Sequence, residues 1–260
     1  MRTWIETWAL AGVTASVATT ATLAQVAAPA AVPEPLWKTT VAAGANVTRG
    51  NSETMLLNGS AISVFKQDKN EARIGVEANY GEAQVTQGSG TNEMKSTENN
   101  INNARAFGEY RRLLTERNYL YGNTELMEDD IAEIDYRWTI GPGVGRYFLM
   151  SPTQKLSGEI GPTYIKQKLA GVTDDTVALR MAERYELKIS ATALLWESVE
   201  YLPSIDDFAR CLLNAEVGIE AAISTKFNLR VVLQDKFNSD PAPGKKDNDL
   251  VLIAGVSFKL

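Results

Sequence analysis

From Trp37 to the C-terminus, apolar and polar residues alternate with a period of two, segment after segment, which is the pattern of strands that each present one apolar face. In residues 71–81, Ala72, Ile74, Val76, Ala78 and Tyr80 share one parity, while Glu71, Arg73, Glu77 and Asn79 take the other. Residues 212–222 set Leu213, Ala215, Val217, Ile219 and Ala221 against Asn214, Glu216, Gly218 and Glu220. Residues 227–237 set Leu229, Val231, Leu233 and Phe237 against Asn228, Arg230, Gln234 and Lys236. In residues 134–148, Ile134, Tyr136, Trp138, Ile140 and Val144 oppose Asp135, Arg137, Thr139, Gly141, Gly143 and Gly145. Weaker alternation marks 37–48, 54–65, 99–112, 118–127, 154–167, 177–188, 192–202 and 248–260, which brings the strand count to twelve.

These segments run to about 9–14 residues, longer than the ~5–6 of globular strands and close to the ~9–11 that cross a bilayer at a tilt. Short connections at 66–70, 114–117, 151–153, 190–192 and 224–226 alternate with longer ones at 84–97, 170–176 and 239–247. Outer-membrane barrels with an even strand count and both termini in the periplasm show that asymmetry. The expected fold is therefore all-β, an antiparallel up-and-down transmembrane β-barrel over residues 37–260. Pro142 and Pro162 fall inside neighbouring strands, where each removes a ladder hydrogen bond, so ten strands is the alternative count.

Arg2 precedes an uncharged stretch, Thr7 to Ala24, that closes on the small-residue sequence Thr22-Leu23-Ala24. Residues 1–24 read as a cleaved signal peptide and the Pro/Ala-rich residues 25–36 as a leader, with the cell outer membrane as destination. Beyond residue 30 no apolar run approaches the ~20 residues of a membrane-spanning helix.

Composition then narrows the function. The chain has no histidine, which removes the usual general base near neutral pH and the commonest neutral metal ligand. No catalytic constellation, cofactor or metal site is expected, and the reading is not an enzyme. A net charge of −6 speaks against nucleic acid as a partner. Cys211 is the only cysteine, so no internal disulfide can form, and its apolar surroundings point to burial. The paired acids Asp129-Asp130, Asp174-Asp175 and Asp206-Asp207, and Asp240 with Asp247, read as solvated turn residues; the other reading is a divalent cation bridging to lipopolysaccharide phosphates.

Several longer motifs carry a resemblance: VTRGNSET at 47–54, EYRRLLTERNYLYGNTEL at 109–126, DYRWTIGPGVGRYF at 135–148, GEIGPTY at 158–164 and FNSDPAPGKKDNDLVLIAGVSF at 237–258. Together they resemble the bacterial salt-stress-induced outer-membrane protein family, long catalogued as a domain of unknown function. The resemblance implies an outer-membrane barrel associated with salt or envelope stress, and it brings no established catalytic residues. The chain departs from the usual terminal aromatic, since Phe258 lies two residues inside and Leu260 is last.

With the apolar parity facing lipid, the lumen is expected to be lined by Arg73, Glu77, Arg105, Glu109, Arg111, Asp135, Arg137, Glu159, Arg180, Arg184, Glu216, Glu220 and Arg230. A lumen of both signs suits a narrow, porin-like passage for ions or small polar solutes, or a salt-bridged plug in a structural barrel. A soluble periplasmic ligand-binding β-barrel is the further alternative. The expected partners are outer-membrane lipid, lipopolysaccharide and the barrel-assembly machinery.

Overall fold

The computed structural model describes residues 36–48, 53–87 and 94–260. The signal peptide expected at 1–24, nearly all of the leader expected at 25–36, and residues 49–52 and 88–93 lie outside them. Twelve strands form one closed antiparallel ring in chain order: β1 (Trp37–Thr48), β2 (Thr54–Gln67), β3 (Asn70–Gln87), β4 (Met94–Leu113), β5 (Asn118–Asp129), β6 (Ile134–Met150), β7 (Gln154–Leu169), β8 (Val172–Lys188), β9 (Ala193–Pro203), β10 (Cys211–Ala222), β11 (Phe227–Asn238) and β12 (Asn248–Lys259). The ring closes by β1 on β12, from Thr40↔Lys259 to Ala43↔Val256. Just beyond, the two backbones touch at Gly44 and Gly255: a Cβ on Gly44 would run into the carbonyl of Ala254.

The inner face follows from contacts that skip strands. Tyr147 of β6 bonds Glu71 of β3, and Arg111 of β4 pairs with Glu159 of β7. Side chains separated by two intervening strands meet only through the interior of the ring, so these residues point inward and the register carries that parity around the barrel. The opposite parity holds the exposed apolar residues, among them Ile74, Val76, Leu229 and Leu252.

Two aromatic bands bound this outer face. At the rim that carries both β1's start and β12's end, Trp37 packs on Phe65 at 5.2 Å and Phe227 on Phe258 at 5.1 Å. Towards the far rim, Trp138 meets Tyr164 edge-on at 6.5 Å. Trp138 and Phe148 on β6, like Phe237 and Phe227 on β11, stand about ten residues apart; at ~3.3 Å per residue and a tilt of ~40°, that separates the bands by ~25 Å, the height of an outer-membrane apolar belt. The outer parity is not wholly uncharged: Arg146, Glu183, Glu197 and Asp235 also lie on it.

The two prolines do not reduce the strand count. Pro142 and Pro162 stand opposite each other in a single interruption of the β6–β7 ladder, which runs to Ile140↔Tyr164 and resumes at Val144↔Ile160. Because both face the same gap, Gly122↔Pro142 and Pro162↔Leu179 on the other sides run through unbroken. Two missing donors thus share one gap instead of opening two.

Some expected loops are strand. The connection at 84–97 shrinks, because β3 runs to Gln87 and β4 begins at Met94. The one at 170–176 is a two-residue turn, Ala170-Gly171, with φ of 48° and 80°. That is the mirror-image turn whose twist suits a tight hairpin and for which glycine is favoured. Asp174 and Asp175 consequently sit in β8, opposite Gln167 and Lys166. Cys211, expected to be buried, is half-buried at the start of β10.

Inside, aromatic rings lie flat on glycines of the neighbouring strand: Phe107 on Gly75, Tyr121 on Gly143, Tyr119 on Gly145 and Trp196 on Gly218. Each ring takes the space a Cβ would fill, so bulky side chains hug the wall instead of crossing the lumen. Gly218→Val should therefore displace Trp196 and lower barrel stability by about 1–3 kcal/mol. Urea unfolding in lipid vesicles checks this, and Gly59→Val, where nothing stands within 4 Å of the new Cβ, serves as the control.

Candidate functional site

The lumen is the candidate site. A cavity of about 370 Å³ occupies it, lined by residues of both signs that include Arg73, Arg105, Glu109, Arg184, Glu216 and Lys236. A belt of ion pairs in two clusters runs along the β3–β9 wall. Arg105 Nη2 stands 2.7 Å from Glu77 Oε2, and its Nη1 is 3.5 Å from Glu125 Oε2. Arg111 reaches Glu109 at 2.5 Å and Glu159 at 2.8 Å. Arg180 completes the belt, 2.8 Å from Glu159 and 2.5 Å from Glu200, while Asn214 donates to the other Glu200 oxygen at 3.1 Å.

Glu159 is the hub. Its side chain is 5% exposed, it receives both Arg111 and Arg180, and Tyr119 donates to it at 2.8 Å. Two guanidinium groups and a phenol offset what one carboxylate loses on leaving water. Tyr147 ties in Glu71 with a 2.8 Å bond and accepts from Arg111 at 3.3 Å.

The remaining expected residues occupy separate places. Glu216 accepts from Trp196 Nε1 at 2.6 Å and Gln234 at 2.9 Å, both neutral donors. Glu220 accepts from Asn228 at 2.7 Å and Ser257 at 3.1 Å, with Lys259 at 3.7 Å. Arg184 pairs with Glu186 at 2.9 Å. Arg73 lies over the Phe107 ring at 4.6 Å and Arg230 over Trp196 at 5.1 Å. Arg137 is buried, its Nε held by Gln167 at 2.8 Å.

Asp135 is a correction. A register shift between Ile134 and Tyr136 inserts one extra residue into β6, which turns Ile134 inward opposite Asp129 and puts Asp135 on the outer surface. There it is half exposed and pairs with Lys168 at 2.9 Å.

Glu71 shares Arg73's parity, but Glu125 and Glu200 were hidden from a reading of alternation. On β5 the inward parity also holds Tyr119 and Tyr121, and on β9 it holds Trp196 and Leu202, with Glu197 on the other side. Aromatic residues inside and an acid outside blur the polar and apolar faces. Among the described residues, no group of three or more potential metal ligands forms at the acidic turns.

The mouth at the far rim is covered. The β11–β12 loop, residues 239–247, buries Ala242, and Lys245 Nζ reaches Glu133 Oε1 in the β5–β6 turn at 3.1 Å. In a ring of twelve, those two connections lie on opposite sides, so the loop bridges the opening. Beneath it, Ile165, Ala178, Leu202 and Leu212 form an apolar cluster.

The family model described as "Protein of unknown function, DUF481" matches residues 41–260. The chain is 27% identical over 175 residues to the uncharacterized protein YdiY of Escherichia coli (strain K12), covering 66% of this chain and 68% of that one. Among solved structures it is similar to the NanC porin, with a TM-score of 0.52 at 9% identity over 86% of this chain and 100% of that one. A second likeness, to the COG4313 outer membrane channel from Pseudomonas putida F1, has a TM-score of 0.47 at 10% identity over 88% and 97% of the two chains. At 9% identity the likeness to the NanC porin speaks to the barrel fold alone.

Glu159→Ala should cost about 1.5–3 kcal/mol of barrel stability, because Arg111 and Arg180, both largely buried, each lose one of two carboxylate partners and keep Glu109 and Glu200. Glu133→Gln breaks only the exposed pair with Lys245 and should cost under about 1 kcal/mol. Denaturant midpoints of the two variants, measured in the same lipid, make the comparison.

Proposed function

Since this chain belongs to the family described as "Protein of unknown function, DUF481", we propose that it is an integral outer-membrane barrel whose lumen is a narrow passage for ions and small polar solutes. The observation that carries this reading is the 370 Å³ cavity inside the ring, lined by charges of both signs. Aromatic rings folded onto glycines support it, because they leave the axis to water and polar side chains. The outward apolar parity between two aromatic bands favours lipid as surroundings over a soluble periplasmic barrel.

The rest of the reading follows from the location. Residues 1–24 serve as the export signal, the barrel-assembly machinery inserts the strands, and the far rim meets lipopolysaccharide. The covered mouth is then the extracellular one, and passage requires the β11–β12 loop to move. The resemblance to salt-stress-induced proteins makes growth at high salt the phenotype to compare between a deletion strain and its parent.

A second reading has its own support. The chord from Arg111 to Glu159 spans a quarter of the ring, and a belt of that reach also suits a plugged barrel that stiffens the envelope.

Planar-bilayer recordings of refolded protein separate the two. Stepwise currents are expected, larger when residues 239–247 are replaced by a short turn, and shifted in ion preference by Arg73→Glu or Glu216→Arg. Silence from a loop-shortened protein that still shows heat-modifiable gel migration overturns the passage and leaves the structural barrel.

A further inference from the structure

The 370 Å³ lumen cavity answers its acids more fully than its bases. Lys66 holds Glu71, Arg105 holds Glu125, Arg111 holds Glu109 and Glu159, Arg184 holds Glu186, and Arg180 holds Glu200. Glu216, the remaining inward carboxylate of this cavity, receives a neutral donor on each oxygen, Trp196 on Oε1 and Gln234 on Oε2. Glu183 and Asp235 border the space only from the outward parity. Three of the cavity's cations, Arg73, Lys155 and Lys236, have no carboxylate at ion-pair distance among the described residues. The unmet capacity that faces the lumen is therefore donor capacity.

Arg73 is the sharpest case. It lies over the Phe107 ring at 4.6 Å, while its cross-strand neighbour Glu109 is turned to Arg111 at 2.5 Å and Glu77 to Arg105 at 2.7 Å. What approaches it from the opposite wall is a like charge. β3 and β8 stand five strands apart in the ring of twelve, and Arg73, near the start of β3, and Arg184, near the end of β8, lie towards the same rim. Both line the cavity, and of the charges around Arg73 the one that bears on it most strongly is Arg184. Arg184 gives its Nε to Glu186 at 2.9 Å and keeps its Nη groups for the lumen. Two guanidinium groups that share a cavity and repel each other are both relieved by one oxyanion, which their paired N–H donors fit.

We propose that the lumen holds a small oxyanion between Arg73 and Arg184 and passes anions in preference to cations. A cation would meet carboxylates that already have partners and would leave Arg73 as it stands. The preference rests on the passage reading; the binding needs no current.

The test titrates inorganic phosphate into refolded full-length barrel in nonionic detergent and follows the phosphorus NMR line width. Saturable broadening is expected, with a dissociation constant of about 1–10 mM in keeping with so small a ligand. Arg73→Gln should weaken binding about tenfold with heat-modifiable migration retained, and Arg73→Lys should restore part of the loss. If Arg73→Gln does not fold, Arg184→Gln takes its place. In planar bilayers under a potassium chloride gradient, the reversal potential should favour chloride, and the same variant should reduce that preference. Phosphate that does not bind saturably to folded wild-type barrel, binding unchanged in the folded variant, or a reversal potential that does not favour chloride overturns the proposal. A silent bilayer with saturable phosphate binding would instead count against the passage alone.

Discussion

A strand whose flanks face hydrocarbon has no water to satisfy its amides and carbonyls, so each must pair with a neighbouring strand and the sheet must close on itself. Much of this molecule is a consequence of that closure. An even number of strands returns the chain to the rim where it started, and the ring creates one outward face and one for the lumen. Even the departures respect it. The two prolines share a single gap, and Gly44 and Gly255 let the first and last strands approach where their ladder ends.

Closure also brings charges together in a confined interior. The belt from Glu77 through Arg105, and from Glu109 through Arg111, Glu159 and Arg180 to Glu200, compensates each buried charge with one of opposite sign. Such pairs need not add net stability over an apolar filling, but they keep a polar lumen possible. The glycine-backed aromatics solve the complementary problem of volume. Farther out the compensation is incomplete, and Arg137 and Asn123 keep unmatched polar atoms under a loop whose exposed ion pair is weak enough to release.

The strand plan was legible in the amino-acid sequence to within a few residues at most boundaries, because alternation is a local consequence of strand geometry. The errors lie where something non-local intervened. Residues 84–97 and 170–176 read as loops, since Gly, Ser, Thr and Asp are turn formers, yet hairpin pairing extended β3, β4 and β8 into them. Asp135 read as inward until one extra residue in β6 reversed its side. Glu125 and Glu200 were obscured by aromatic and aliphatic residues that share their inward parity.

What the sequence determined by itself is therefore where the alternating segments lie that became the twelve strands and, for most of them, which parity faces outward. These depend on backbone period and on the cost of charge in hydrocarbon, both properties of a single strand. The tertiary structure alone decided which charges meet, because Arg111 and Glu159 lie three strands apart and come together only through the curvature of a closed ring. It decided likewise that the β11–β12 loop crosses the mouth to Glu133, a contact between opposite sides of the barrel that no local pattern encodes.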